Sequence, residues 1–183
     1  SLAETLKNLK TDYLDLWQLH DVRTEDDMNK IFGPDGALEA FREAKEKGRV
    51  RFIGVTGHHS PSIIRRCLEA FDFDTVLMPV NPAETCAKSF LEEVMPVAGP
   101  KDVGVIAMKV FLRGLFNAPK KLLLSYALSQ PVSAAVVGCD NIEQLKENAE
   151  AAESFQSLKV KEMERLHRIV SPYATELMFY RQK

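Results

Sequence analysis

The chain has 183 residues, 45% hydrophobic and 27% charged, enough apolar mass for a sizeable core in one globular unit. With 24 Lys and Arg against 26 Asp and Glu, the net charge of −2 gives nucleic acid or an anionic membrane no electrostatic hold. No apolar run approaches membrane-spanning length, no secretory signal opens the chain, and Cys67, Cys86 and Cys139 form no CxxC pair, so neither a disulfide framework nor a structural zinc is expected and a cytoplasmic setting is the default.

In chain order, Ser1–Glu4 has the S-x-x-E pattern of a capping box ahead of Leu2, Leu6 and Leu9, which predicts an opening helix. Tyr13–His20 reads as a strand, with Leu14, Leu16, Gln18 and His20 on one side and Tyr13, Asp15, Trp17 and Leu19 on the other. A polar loop is expected at 21–35. A helix over Gly36–Lys47 puts Leu38, Phe41 and Ala44 on one face and stops at Gly48. The second strand, Arg51–Gly57, is followed by a helix opened by Ser60-Pro61 and running through Ile63, Ile64, Cys67 and Leu68. Strands at Thr75–Asn81, Gly104–Val110 and Ser133–Gly138 then alternate with helices at Glu84–Val97, Pro119–Ser129 and Asn141–Ser154, and a last helix falls near Val160–Phe179. Four of the five strands are apolar or β-branched almost throughout, as expected of parallel strands covered on both faces.

Strict β/α alternation without a linker predicts a single α/β domain with a parallel sheet and right-handed crossovers. An open doubly wound sheet should carry G-x-G-x-x-G after its first strand, and this chain does not. The polar residues sit instead at the C-terminal ends of successive strands: His20, Thr56, Asn81, Lys109, and Gly138 to Asp140. Barrel enzymes build their sites there, so part of a (β/α)8 barrel is the favoured architecture.

Several of these residues have a chemical and a plain reading. His20 is either functional or a histidine hydrogen-bonded at a barrel rim. The small residues around Thr56 and Gly57 would let a flat ring approach, with the Thr56 hydroxyl offered to a carboxamide, whereas His58 and His59 read more simply as solvated. Gly138, Cys139 and Asp140 lead into a helix that Asp140 with Glu143, or Asn141 with Gln144, would cap. A helix N-terminus after a glycine is a ready phosphate site, although the charge of Asp140 equally suits a cap with no ligand. Lys109 could meet substrate, phosphate or solvent, and Gly114 could let the next loop fold over a ligand.

Taken together and in this order, the segments resemble the aldo-keto reductase family. Leu9–His20 (LKTDYLDLWQLH) is similar to its fourth strand, which ends in the catalytic histidine, and Lys47–Gly57 to its fifth. Val80-Asn81 stands where the family has an amide under the nicotinamide, Gly104–Lys109 resembles the seventh strand, and Val136-Val137-Gly138 through Gln144 and Asn148 the closing nucleotide motif. The resemblance implies strands four to eight of the barrel, the C-terminal five-eighths, over residues 1–183. It also implies a cytoplasmic oxidoreductase that uses NADP(H) or NAD(H) to reduce a small aldehyde or ketone by hydride transfer. His20 would then be the catalytic histidine. Thr56, Gly57, Asn81, Lys109, Gly138, Cys139, Asp140, Gln144 and Asn148 would bind the cofactor, with Gly57 replacing the usual asparagine. No basic side chain for a 2′-phosphate lies between Gly138 and Leu145. The wording around His58 and Lys109 suggests a bacterial branch some of whose members carry a C-terminal iron–sulfur cluster. The tail from Tyr173 to Lys183 has no cysteine for one.

The family's aspartate, tyrosine and lysine belong to its first three βα units, so by resemblance the catalytic set is incomplete here and this chain alone is expected to be inactive. Five strands also cannot close a barrel. Either an N-terminal half or a partner chain would cover the open sheet edges. Two other readings are a non-catalytic nucleotide-binding or partner module on the same scaffold, and a metal-dependent hydrolase using His20, Asp21, His58 and His59 at adjacent strand ends.

Overall fold

A computed structural model describes residues 1–181. In chain order its elements are α1 (Leu2–Leu9), β1 (Leu14–Leu19), α2 (Glu25–Phe32), α3 (Ala37–Glu46), β2 (Val50–Thr56), α4 (Pro61–Ala70) and β3 (Thr75–Pro79). There follow α5 (Phe90–Ala98), β4 (Gly104–Met108), α6 (Lys120–Leu128), β5 (Ala134–Ala135), α7 (Ile142–Glu153), α8 (Val160–Val170) and α9 (Ala174–Leu177). The strands form one parallel sheet in the order β1-β2-β3-β4-β5. Each strand lies beside its predecessor, with none of the order reversal that defines a doubly wound sheet, so the five βα units form an arc of a barrel.

Side-chain alternation sorts the strand residues onto two unlike faces. On one, Ile53, Val55, Val76, Met78, Val105 and Ala107 are buried under the helices. Trp17 stacks on Phe41 of α3 with ring centroids 3.7 Å apart. Burying each large side chain there contributes about 1.5–3 kcal/mol. On the other face Leu16, Leu77 and Ile106 are half-buried, and Phe52 is 44% exposed. The expectation of strands covered on both faces therefore holds for one face only. In a closed barrel the second face would pack across the interior against the opposite strands.

Other departures have local causes. The predicted loop at 21–35 contains α2, opened by a capping box in which Thr24 Oγ1 accepts the Asp27 N–H while the Asp27 carboxylate accepts the Thr24 N–H. The helix predicted over Glu84–Val97 is a short turn at Glu84–Cys86, followed by α5 with Ser89 as its cap. The final helix breaks at Ser171-Pro172, where proline has no N–H to continue the ladder. As the edge strand, β5 keeps two paired residues, extended by bonds from Ser133 N–H to Val105 O and from Val136 N–H to Ala107 O.

A second buried cluster, including Leu112, Leu123, Tyr126, Leu166, Val170, Leu177 and Tyr180, packs the C-terminal segment beyond α8 onto α6 and the loop after β4. That segment ends over the tips of β3 and β4. Among the described residues no helix is long and apolar enough to cross a membrane.

Candidate functional site

The C-terminal ends of the strands come together, each held by bonds from its neighbours. At the β1 tip His20 is exposed, and Asp21 follows with φ of 56°. Thr56, at the end of β2, fixes that turn: its hydroxyl oxygen accepts the Asp21 N–H at 2.8 Å and its carbonyl accepts the Val22 N–H at 2.9 Å. The hydroxyl keeps its own proton for one further bond. Gly57 donates to Leu77 O, and a Cβ added there would lie 2.4 Å from Ile64 Cδ1 and 2.9 Å from Val22 O. No side chain fits at that position, which gives the glycine a packing reason of its own.

His58 is drawn inward rather than solvated. Its Nδ1 lies 3.3 Å from Asp21 Oδ1, an ion-pair separation whose alignment falls short of a hydrogen bond, since that oxygen has no hydrogen-bond partner. The other Asp21 oxygen is taken by Arg23, 2.6 Å from Nε. Burial, with further repulsion from Lys109 and Arg23, holds the imidazole below its usual range against the pull of Asp21. His59 Nδ1 is buried without a partner.

Asn81, expected under a nicotinamide, is fully buried with its amide turned into the protein. Its Nδ2 donates to Tyr180 Oη at 3.0 Å and Lys109 O at 3.3 Å, and its Oδ1 accepts from Ala83 N–H. Tyr180 Oη donates in turn to Glu84 Oε1 at 2.6 Å, and Arg181 pairs with the other Glu84 oxygen. Burial and the Glu84 charge push the Tyr180 phenol well above its ordinary range, so it stays protonated. Nothing in the sequence links Glu84 to a tyrosine almost a hundred positions away, and this network was not foreseen.

At the edge of the sheet, Asn141 Oδ1 accepts the Gln144 N–H and caps α7. Gln144 Oε1 accepts the Asp140 N–H, and Asn148 Nδ2 lies 3.2 Å from Cys139 Sγ. Gln144 and Asn148 thus brace Cys139 and Asp140 from behind. Gly138 meets no protein atom where a Cβ would stand, so the chain itself does not require a glycine there.

Between the β4 and β5 tips lies a cavity of 530 Å³ bounded by Lys109, Phe111, Arg113 and Lys120 on one side and Val136–Gly138, Asp140 and Gln144 on the other. Three cations face one carboxylate, beside the positive end of α7. A group carrying phosphates fits that charge. Arg113 and Lys120 were missed in the sequence because they lie on the wall opposite the segment Gly138–Leu145, where a basic residue was sought. A smaller pocket of 220 Å³ adjoins it, lined by Arg23, His58, Lys109, Arg113, Phe179 and Tyr180. His20, Thr56, Gly57 and Asn81 line neither. Among the described residues no three His, Cys, Asp or Glu side chains converge as a metal-binding set.

A family model for the aldo/keto reductase family matches residues 1–122. The Bacillus subtilis uncharacterized oxidoreductase YqkF is 27% identical over 191 residues, covering 83% of this chain and 59% of its own length. L-galactose dehydrogenase of Arabidopsis thaliana is 24% identical over 197 residues, covering 86% of this chain and 58% of its own. The chain therefore spans less than two thirds of these relatives. Among solved structures, the holo form of an aldo-keto reductase from Bacillus halodurans superposes with a TM-score of 0.73 at 24% identity, covering 96% of this chain and 62% of that one. A Bombyx mori aldo-keto reductase in complex with NADP gives 0.65 at 20% identity, covering 91% and 61%. These likenesses establish the fold as strands and helices of a (β/α)8 barrel.

Proposed function

Because the chain belongs to the aldo/keto reductase family, we propose that it forms the nucleotide-binding half of a reductase that uses NADPH or NADH on small aldehydes and ketones. The observation that carries this is the cation-lined cavity between β4 and β5, at the C-terminal strand ends and beside the α7 N-terminus. When bound, the reduced nicotinamide supplies a hydride to a carbonyl carbon.

In this reading the N–H groups of Gly138 and Cys139 and the turn at Asp140, with Lys109, Arg113 and Lys120 opposite, hold the phosphates. Gln144 and Asn148 fix that loop and lie toward the adenosine end. Thr56, whose hydroxyl keeps a proton, and Gly57 would take the carboxamide end, and Asn81, its amide turned inward, would act only through its bonds to Tyr180 and the Lys109 carbonyl. His20, exposed at the β1 tip, orients the carbonyl oxygen of the substrate.

A proton donor is still needed, and the tyrosines of this chain do not supply one. Tyr126 shares its hydroxyl with His167 within the second core, Tyr180 is committed to Glu84, and Tyr13 and Tyr173 stand exposed at the start of β1 and beyond α8. We therefore expect the 183-residue chain to bind nucleotide and to lack turnover. Fluorescence titration with NADPH and NADH should give saturable binding, while NADPH oxidation with an aldehyde should stay at background. Steady oxidation abolished by His20→Ala would refute the incomplete set; no binding of either nucleotide would refute the reading itself. The second reading is a nucleotide-binding module without turnover, which a longer protein containing this chain would distinguish by binding NADPH and reducing nothing.

A further inference from the structure

We propose that the smaller pocket, between the tips of β1, β2 and β4 and the C-terminal turn, takes the anionic end of the carbonyl substrate, a carboxylate or a phosphate. The carbonyl part rests on the reductase reading above, whereas the charge preference rests on this pocket alone.

Its lining holds three permanent cations, Arg23, Lys109 and Arg113, and no carboxylate. The nearest acids are engaged elsewhere: Asp21 binds Arg23 and faces His58, and the fully buried Glu84 is held by Tyr180 and Arg181. Arg23 is thus neutralised locally, but neither Lys109 nor Arg113 is in a salt bridge among the described residues. Like charges held together without an opposing partner cost folding free energy, which an anionic ligand would return.

Arg113 is held at its guanidinium and Lys109 at its backbone. Lys109 has φ of 56°, and its carbonyl is anchored by the Asn81 amide and the Leu112 N–H. Arg113 likewise lies in the left-handed region, and its guanidinium stands over the Phe179 ring, 4.8 Å from the centroid. A ligand therefore meets one guanidinium already in position and a lysine rooted in fixed backbone, which lowers the ordering cost of binding. His58, kept neutral by burial, adds a ring nitrogen without adding charge. A volume of 220 Å³ is below the roughly 300–1,000 Å³ of sites for drug-sized molecules, so the occupant is a compound of few heavy atoms. Lys109 and Arg113 also line the larger cavity, so the two ligands would lie side by side across this pair of cations.

Ligand-observed NMR with the whole chain tests this. Pyruvate, hydroxyacetone phosphate and neutral hydroxyacetone are titrated against the unsubstituted chain, Arg23→Gln, which alters the small pocket and not the large cavity, and Lys120→Gln, which alters the large cavity and not the small pocket. Arg23 is exposed, so its replacement leaves the core intact. One or both anions should bind about tenfold more tightly than hydroxyacetone, the worth of one charge-assisted hydrogen bond. That preference should vanish in Arg23→Gln, which removes one cation and leaves the Asp21 carboxylate unneutralised beside the other two, and survive in Lys120→Gln. Tighter pyruvate would identify a carboxylate, and tighter hydroxyacetone phosphate a phosphate. Equal affinities for all three compounds, or a preference lost in Lys120→Gln and kept in Arg23→Gln, would overturn the proposal. A separate NADPH titration keeps the readings apart. Anion preference without NADPH binding leaves this pocket standing and removes the reductase; NADPH binding without anion preference does the reverse.

Discussion

Tyr180 shows how single side chains tie the site to the end of the chain. Its hydroxyl satisfies a buried carboxylate and a buried amide at once, and the C-terminal turn is held to the β3 tip largely through it. Tyr180→Phe keeps the ring packing but strands Glu84 Oε1 and one of the two Asn81 amide protons, and should cost about 1–3 kcal/mol in urea unfolding. His58 supplies a pH signature. Its folded pKa is lowered below the usual 6.5, so on acidification the unfolded chain takes up the proton first. Stability should therefore fall as pH drops from 6.5 toward the folded value, and His58→Gln should remove that part of the slope. Urea midpoints at about pH 7.5 and 5.5 for both chains would check this.

At the scale of elements, periodicity and punctuation in the sequence located most of the fold. Pro61 opens α4 with Ile63, Ile64, Cys67 and Leu68 buried as their spacing required, and Gly48 ends α3 with φ of 67°. What stayed hidden depends on neighbours. The Thr24–Asp27 capping box was present but lay in a polar stretch whose apolar residues, Met28, Ile31 and Phe32, come only in the second half of the helix. The strand over Ser133–Gly138 shrank to β5 because an edge strand has one partner. The site followed the same rule: strand tips were legible because chemistry-bearing residues follow apolar runs, whereas Arg113, Lys120, Glu84 and Tyr180 reach the tips from loops and helices that only tertiary packing brings there. Asn141→Ala removes the α7 cap and should cost about 1 kcal/mol in chemical denaturation. It should also loosen the Asp140–Gln144 contact and weaken NADPH binding, as fluorescence titration would read.

For the molecule as a whole, the sheet is covered on one face and open on the other, with β1 and β5 as unpaired edges. The proposed reductase function depends on one geometric claim, that a dinucleotide lies along the strand tips with its phosphates beside Gly138. Amide chemical-shift mapping of the isotopically labelled chain with NADP+ tests it most directly. The account predicts shifts concentrated at Lys109, Arg113 and Gly138–Asp140, extending to Thr56 and Gly57. Saturation without change at those positions, or shifts confined to the outer helices, would contradict it.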